Sequence, residues 1–165
     1  MSPTDRDLAA LASQVGEHLL AGGRVLATAE SCTCGYIAKV VTDLAGSSAW
    51  FGYALVSYSN GAKQDLLDVP AATLVSHGAV SEATVRAMAE GALKRGGADV
   101  AAAVSGIAGP AGGTPDKPVG SVWLAWAVMG GNGPHTTARL AHFEGDRDAV
   151  RRQTVAAALA EVLKL

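Results

Sequence analysis

The 165-residue chain carries 13 basic and 15 acidic side chains, a formal net charge of -2, and 49% hydrophobic residues with only 5% aromatics. That length suits one domain over residues 1–165, and the intermixed charges lack the basic footprint of a nucleic-acid binder. No apolar run approaches a membrane span and the first residues include acids, unlike a secretion signal, so a cytoplasmic protein acting on a small molecule is expected.

Leu8, Leu11, Ala12, Val15 and Leu19 mark one face of a helix ending at Gly22-Gly23. The run Val25 to Ala29 reads as a strand that stops at Glu30-Ser31-Cys32-Thr33, and a helix follows from about Cys34 to Leu44. At such a turn the helix start offers unpaired amide hydrogens and partial positive charge. Ser31 can serve there as a cap or as a nucleophile, and the local sequence leaves both open. Cys32 and Cys34 are poorly placed to bridge each other and match no zinc signature. They read as small semi-buried thiols or, at a helix start, as the place for a thiolate.

Phe51 to Ser57 forms a second strand that delivers Tyr58 and Asn60, with Asn60-Gly61 signalling a turn before a short helix, Ala62 to Leu67, bearing Lys63. Pro70 interrupts, and Thr73 to His77 makes a further helical turn. Ser81 caps a long helix whose buried stripe is Val85, Met88, Ala89, Ala92 and Leu93, ending at Gly96-Gly97. Ala98 to Val104 is apolar on both faces, as in a central strand, and leads into a glycine-rich loop from Ser105 to Lys117. Val119 to Met129, a turn at Gly130 to Pro134 and Thr136 to Phe143 read as a hairpin, and Asp146 caps a last helix. The order predicts a single-domain α/β/α sandwich with a mixed, mainly parallel sheet and a C-terminal antiparallel hairpin. Trp50, Phe51, Trp123 and Trp126 fall near strand edges and suit either the core or the interface of a homo-oligomer.

Ligands of open α/β sheets sit beyond the carboxyl ends of the strands, so Ser31, the stretch Tyr58 to Lys63 and the loop Ser105 to Lys117 are expected at one rim. A lysine in an apolar pocket can lose its proton and take that of a serine. Taken alone, Lys63 on a short helix reads as a solvated charge. The glycine-rich loop offers amide donors but matches neither standard phosphate-loop pattern. His18, His77, His135 and His142 do not gather at this rim, which disfavours a Ser-His triad, and no ligand pattern calls for a metal.

Ala29-Glu30-Ser31-Cys32-Thr33, Tyr58-Ser59-Asn60, Lys63, Gly78-Ala79-Val80-Ser81, Ser105-Gly106-Ile107-Ala108-Gly109-Pro110 and Gly112-Gly113 through Lys117-Pro118-Val119-Gly120 occur in this order over nearly the whole chain. On these motifs the sequence resembles the C-terminal domain family of the competence-damage-inducible protein CinA, whose stand-alone members include nicotinamide-nucleotide amidases. The family's N-terminal domain has no counterpart, so a free-standing domain is expected. The resemblance implies hydrolysis of the carboxamide of nicotinamide mononucleotide, with Ser31 as nucleophile, Lys63 as base, Tyr58 and Ser105 assisting, and no metal or cofactor. It places substrate contacts at Glu30, Cys32, Thr33, Asn60, Gly106, Gly112, Gly113, Lys117 and Arg147, the last four being candidates for the phosphate. Two positions depart from the family pattern: Ser105 replaces a threonine but keeps the hydroxyl, and Cys34 replaces a glycine. A catalytically silent nucleotide-binding module, and a cysteine hydrolase using Cys32, are the competing readings.

Overall fold

In the computed structural model, which describes residues 2–165, the chain opens with α1 (Asp5–Ala21). Thr4 Oγ1 accepts from the Asp7 amide at 3.2 Å while the Asp7 carboxylate accepts from the Thr4 amide at 2.8 Å, so each residue satisfies a donor that the helix start leaves unpaired. β1 (Leu26–Glu30) follows, then α2 (Tyr36–Thr42), β2 (Phe51–Val56), α3 (Asn60–Leu67), α4 (Ala71–His77), α5 (Glu82–Gly96) and β3 (Val100–Gly106). The hairpin of β4 (Ser121–Gly130) and β5 (Gly133–His142) and the helix α6 (Arg147–Val162) complete the fold. The sheet order is β2-β1-β3-β4-β5, with β1 parallel to both β2 and β3, and with β3-β4 and β4-β5 antiparallel. The α/β/α sandwich with a mixed sheet and a closing hairpin is thus present, but its pairings divide evenly between parallel and antiparallel instead of being mainly parallel, because β4 returns directly against β3.

Strand alternation gives the two faces of the sheet different chemistry. Leu26, Val100, Val104, Val122, Leu124 and Trp126 pack with α1, α2 and α6 in one core. Ala27, Ala29, Ala101, Ala103, Ala125 and Ala127 face the other way, into a core shared with α5 and the ends of α3 and α4. The alanine richness of the sequence is therefore concentrated under α5, where a flat, short-side-chain surface lets the helix approach closely. Gly91 of α5 extends the same close packing, since a Cβ there would lie 2.0 Å from the Leu67 carbonyl oxygen of α3.

Several expected boundaries move, each for a local reason. Asn60-Gly61 is not a turn but the first turn of α3, because Ser59 Oγ accepts from the Ala62 amide at 3.0 Å and caps the helix one step earlier. β3 runs on through Ser105 and Gly106, which pair with Trp123 and Val122 of β4 and so leave the glycine-rich loop to begin later. The hairpin needs only Gly131-Asn132, since Gly130 pairs with Gly133. α2 begins at Tyr36 instead of near Cys34, as Cys34 and Gly35 both take left-handed backbone, at φ 49° and 88°. Trp50 and Trp126 belong to the core, and the Trp126 indole donates to the Ala158 carbonyl of α6 at 2.9 Å.

Candidate active site

Ser31 is the residue immediately after β1, and its amide donates to the Val104 carbonyl of β3 at 3.1 Å, continuing the parallel ladder by one step. Alternation along β1 puts its side chain on the face of Ala27 and Ala29, the α5 side, while Glu30 points to the α2 side. α3 lies on the α5 side too, and from its second turn Lys63 reaches under the rim. The Lys63 side chain is only 1% exposed. Its Nζ lies 3.0 Å from Ser31 Oγ, 2.8 Å from the Ser57 carbonyl oxygen and 3.2 Å from the Tyr58 carbonyl oxygen.

This environment favours the uncharged amine. Burial holds the Lys63 pKa below its ordinary value, and no carboxylate lines the cleft to hold the proton in place. An uncharged amine has two N–H donors and one lone pair. Once the amine is uncharged, the two carbonyl oxygens, which can only accept, take both of its donors and leave its lone pair facing Ser31 Oγ 3.0 Å away.

The cleft around them encloses about 200 Å³ and is lined by Ser31, Cys32, Tyr58, Lys63, Ala79 and Val80 on one side and Ser105, Gly106, Ala108 and Arg147 on the other. The Ser105 hydroxyl donates to the Ala79 carbonyl at 2.7 Å, tying the end of β3 to the wall formed between α4 and α5. Because the Ile107 amide donates to Ser121 of β4 at 2.9 Å, the ladder's alternation turns the neighbouring Gly106 amide towards the β1 side, beyond the point where β1 ends. Gly106 lines the cleft there, and a Cβ at this position would lie 2.7 Å from the Ser121 carbonyl oxygen. Cys32 is a poor nucleophile by contrast: burial pushes its thiol up to about 12.

The residues match a known family along most of their length. The model of the CinA C-terminal domain covers residues 8–165. This chain belongs to the CinA C-terminal domain family. It is 55% identical over 156 residues to the nicotinamide-nucleotide amidohydrolase PncC of Escherichia coli K12, spanning 94% of this chain and 93% of that protein. The PncC of Pseudomonas putida is 51% identical over 155 residues, with 94% of each chain covered. Among solved structures, a CinA superfamily protein of Klebsiella pneumoniae superposes with a TM-score of 0.90 at 40% identity, covering 95% of this chain and 96% of that one.

Within this CinA domain the expected site residues divide into three groups. Ser31, Cys32, Tyr58, Lys63, Ser105, Gly106 and Arg147 share the cleft. Glu30 and Thr33 lie beneath it. Glu30 is fully buried, and its carboxylate accepts from Thr33 Oγ1 at 2.6 Å and from the Ile37 and Ala38 amides at 3.0 and 2.9 Å. The anion at the start of α2 is therefore Glu30 itself, which engages the very amides that a strand-to-helix turn would otherwise offer to a ligand. Asn60, Gly112, Gly113 and Lys117 lie outside the cleft lining, and Lys117 Nζ reaches the His77 carbonyl at 3.4 Å instead.

Sequence reasoning passed over Arg151, whose guanidinium donates to the Thr33 carbonyl at 2.7 Å and lies 5.5 Å from the Tyr36 ring centroid. It steadies the Ser31 turn from α6. The signal available was its spacing of four from Arg147, which puts both arginines on one helix face. Among the described residues no group of three or more His, Cys, Asp or Glu side chains is arranged to hold a metal, and no helix is long and apolar enough to cross a membrane.

Proposed function

We propose that this chain hydrolyses the carboxamide of nicotinamide mononucleotide to the carboxylate, releasing ammonia through a Ser31 acyl-enzyme. The observation that carries the reading is the buried Lys63 amine 3.0 Å from Ser31 Oγ, with its N–H donors directed at two carbonyl oxygens. The substrate follows from the relatives named as nicotinamide-nucleotide amidohydrolases at 50–56% identity. A cleft of about 200 Å³ is small beside the roughly 300–1,000 Å³ of typical ligand pockets, so it takes the carboxamide end of the molecule and leaves the sugar phosphate at the mouth.

In the first half-reaction Lys63 takes the Ser31 proton as Oγ attacks the amide carbon. The oxygen that becomes negative is met by the Gly106 amide and by the Cys32 and Thr33 amides, since those of Ser31, Ile37 and Ala38 are already engaged. Protonated Lys63 then delivers its proton to the departing amide nitrogen, which leaves as ammonia. Water repeats the sequence on the ester, giving up a proton to Lys63, and Ser31 regains it as the acid departs. Tyr58 and Ser105 act through position, the first by its carbonyl on Nζ and the second by holding the Ala79 wall.

Two further parts of the reading concern assembly and setting. The free edge of the sheet at β2 carries no charged residue between Phe51 and Tyr58, and Tyr53 and Val56 on it are exposed, whereas the opposite edge, β5, carries His135, Arg139 and His142. An unguarded edge of that kind suits pairing with a second copy of the chain. Two free thiols without a disulfide suit the reducing cytoplasm.

The test is ammonia release from a panel of pyridine nucleotides, with nicotinamide mononucleotide expected as the substrate. Ser31→Ala and Lys63→Ala should each abolish turnover while leaving the circular dichroism spectrum intact. Turnover retained by either variant would remove the dyad.

A further inference from the structure

We propose that Arg147 is the anion-binding residue of the cleft and engages the phosphate of a mononucleotide substrate at its mouth. The identity of the anion rests on the amidase reading above; the presence of an anion subsite rests on the geometry alone.

The cleft lining holds two basic side chains, Lys63 and Arg147, and no carboxylate. Lys63 is buried against Ser31 and two carbonyls, which leaves Arg147 to set the sign of the field that an approaching ligand meets. Arg147 is exposed and begins α6, so its guanidinium is available to solvent at the opening. Its Nη1 donates to the Gly109 carbonyl at 2.8 Å, which fixes the plane of the group and leaves Nη2 and Nε for a further acceptor. A guanidinium held in this way matches the two-oxygen face of a phosphate.

The acids near it are engaged elsewhere. Asp146 Oδ1 caps α6 by accepting from the Ala149 amide at 2.9 Å, and Asp148 pairs with Arg152 at 2.6 Å. Among the described residues Arg147 forms no salt bridge, while Arg152, one turn further along the helix, is held by both Asp5 and Asp148. Arg151 is directed inward to the Thr33 carbonyl and supports the Ser31 turn from behind. Lys117, the other basic candidate, is turned to the end of α4, and the Gly112-Gly113 amides stand in an exposed loop outside the cleft lining. Arg147 is therefore the one cation of the cleft lining left open to the phosphate of a ligand whose carboxamide sits at Ser31.

The experiment compares nicotinamide mononucleotide with its dephosphorylated riboside as substrates for the full chain and for Arg147→Gln, Arg147→Lys and Lys117→Ala. The ratio of kcat/KM between the two compounds should fall about 10- to 100-fold in Arg147→Gln, the range for losing a charge-assisted pair, and the fall should reside in KM. Arg147→Lys should recover part of the ratio, since it returns the charge without the fork. An unchanged ratio in Arg147→Gln, or a fall produced by Lys117→Ala in its place, overturns the assignment. A binding arm keeps the two readings separate: calorimetric titration of nicotinamide mononucleotide and of inorganic phosphate into Ser31→Ala, with and without Arg147→Gln. If the wild-type chain releases no ammonia from either compound, the amidase reading fails, and weaker phosphate binding with Arg147→Gln still supports the subsite. Equal binding with and without the arginine refutes it.

Discussion

Replacing Lys63 by methionine should change not only activity but the pH dependence of stability, in a direction set by burial. The methionine keeps most of the volume and discards the amine, so the buried Ser57 carbonyl loses its donor at a cost of about 1–3 kcal/mol, independent of pH, while the Tyr58 carbonyl, on an exposed residue, can turn to water. The amine itself contributes a pH-dependent part. In the unfolded chain Lys63 keeps its proton up to its ordinary value of 10.5, whereas burial lowers that value in the fold. Between the two, the unfolded state holds one more proton, and stability of the wild type rises with pH relative to the variant by about 1.4 kcal/mol per pH unit. Below the lowered value both states are protonated and the gap is constant, with the full penalty of burying the charge; above 10.5 both are neutral and the penalty is gone. Urea unfolding of both proteins in matched buffers at a series of pH values up to 10.5 measures the gap directly, since all other titrating groups cancel in the difference. A gap that stays flat across the whole series, or narrows as pH rises, would refute the uncharged lysine on which the proposed chemistry stands.

Four shorter predictions follow from neighbouring features. Glu30→Gln exchanges a carboxylate oxygen for an amide NH₂ that faces the Ile37 or the Ala38 backbone N–H, neither of which can accept, and should lower the urea-derived stability by about 1.5–3 kcal/mol. Cys34→Gly relieves a side chain held at φ 49° and should raise stability by about 1 kcal/mol, read from the denaturation midpoint. Gly106→Ala forces a Cβ against the Ser121 carbonyl, so a loss of about 1–3 kcal/mol and a steep fall in ammonia release are expected from unfolding and activity assays together. Iodoacetamide should label Cys34 alone in the native protein without loss of turnover, as mass spectrometry of the intact chain would record; labelling of Cys32 becomes fast only in denaturant.

How far the fold could be read in advance depended on whether a feature was periodic. The helix faces of α1 and α5, the all-apolar β3 and the hairpin were recognisable because burial on one side of a helix or both sides of a strand leaves a repeating trace. Boundaries were less legible. Ser59 competed with the Asn60-Gly61 turn signal for the start of α3, and only the formed helix shows that the cap wins. Cys34 and Gly35 take left-handed backbone, and α2 therefore starts at Tyr36, two residues later than the apolar pattern alone suggested.

For the site, the sequence by itself determined the chemical inventory: a hydroxyl after the first strand, a lysine after the second, a hydroxyl and glycine at the end of the third. It also determined, through the parallel βα order, that these belong to one rim. Tertiary structure alone decided which of them meet. Ser31 and Glu30 are adjacent in the chain, yet strand alternation sends one into the cleft beside Lys63 and the other beneath α2. Lys63 is a surface lysine by every local criterion, and becomes a buried amine only because the small residues under α5 and α3 let those helices close over it. A side chain's protonation state depends on the solvent it loses, and that loss is a property of the assembled layers rather than of any stretch of chain.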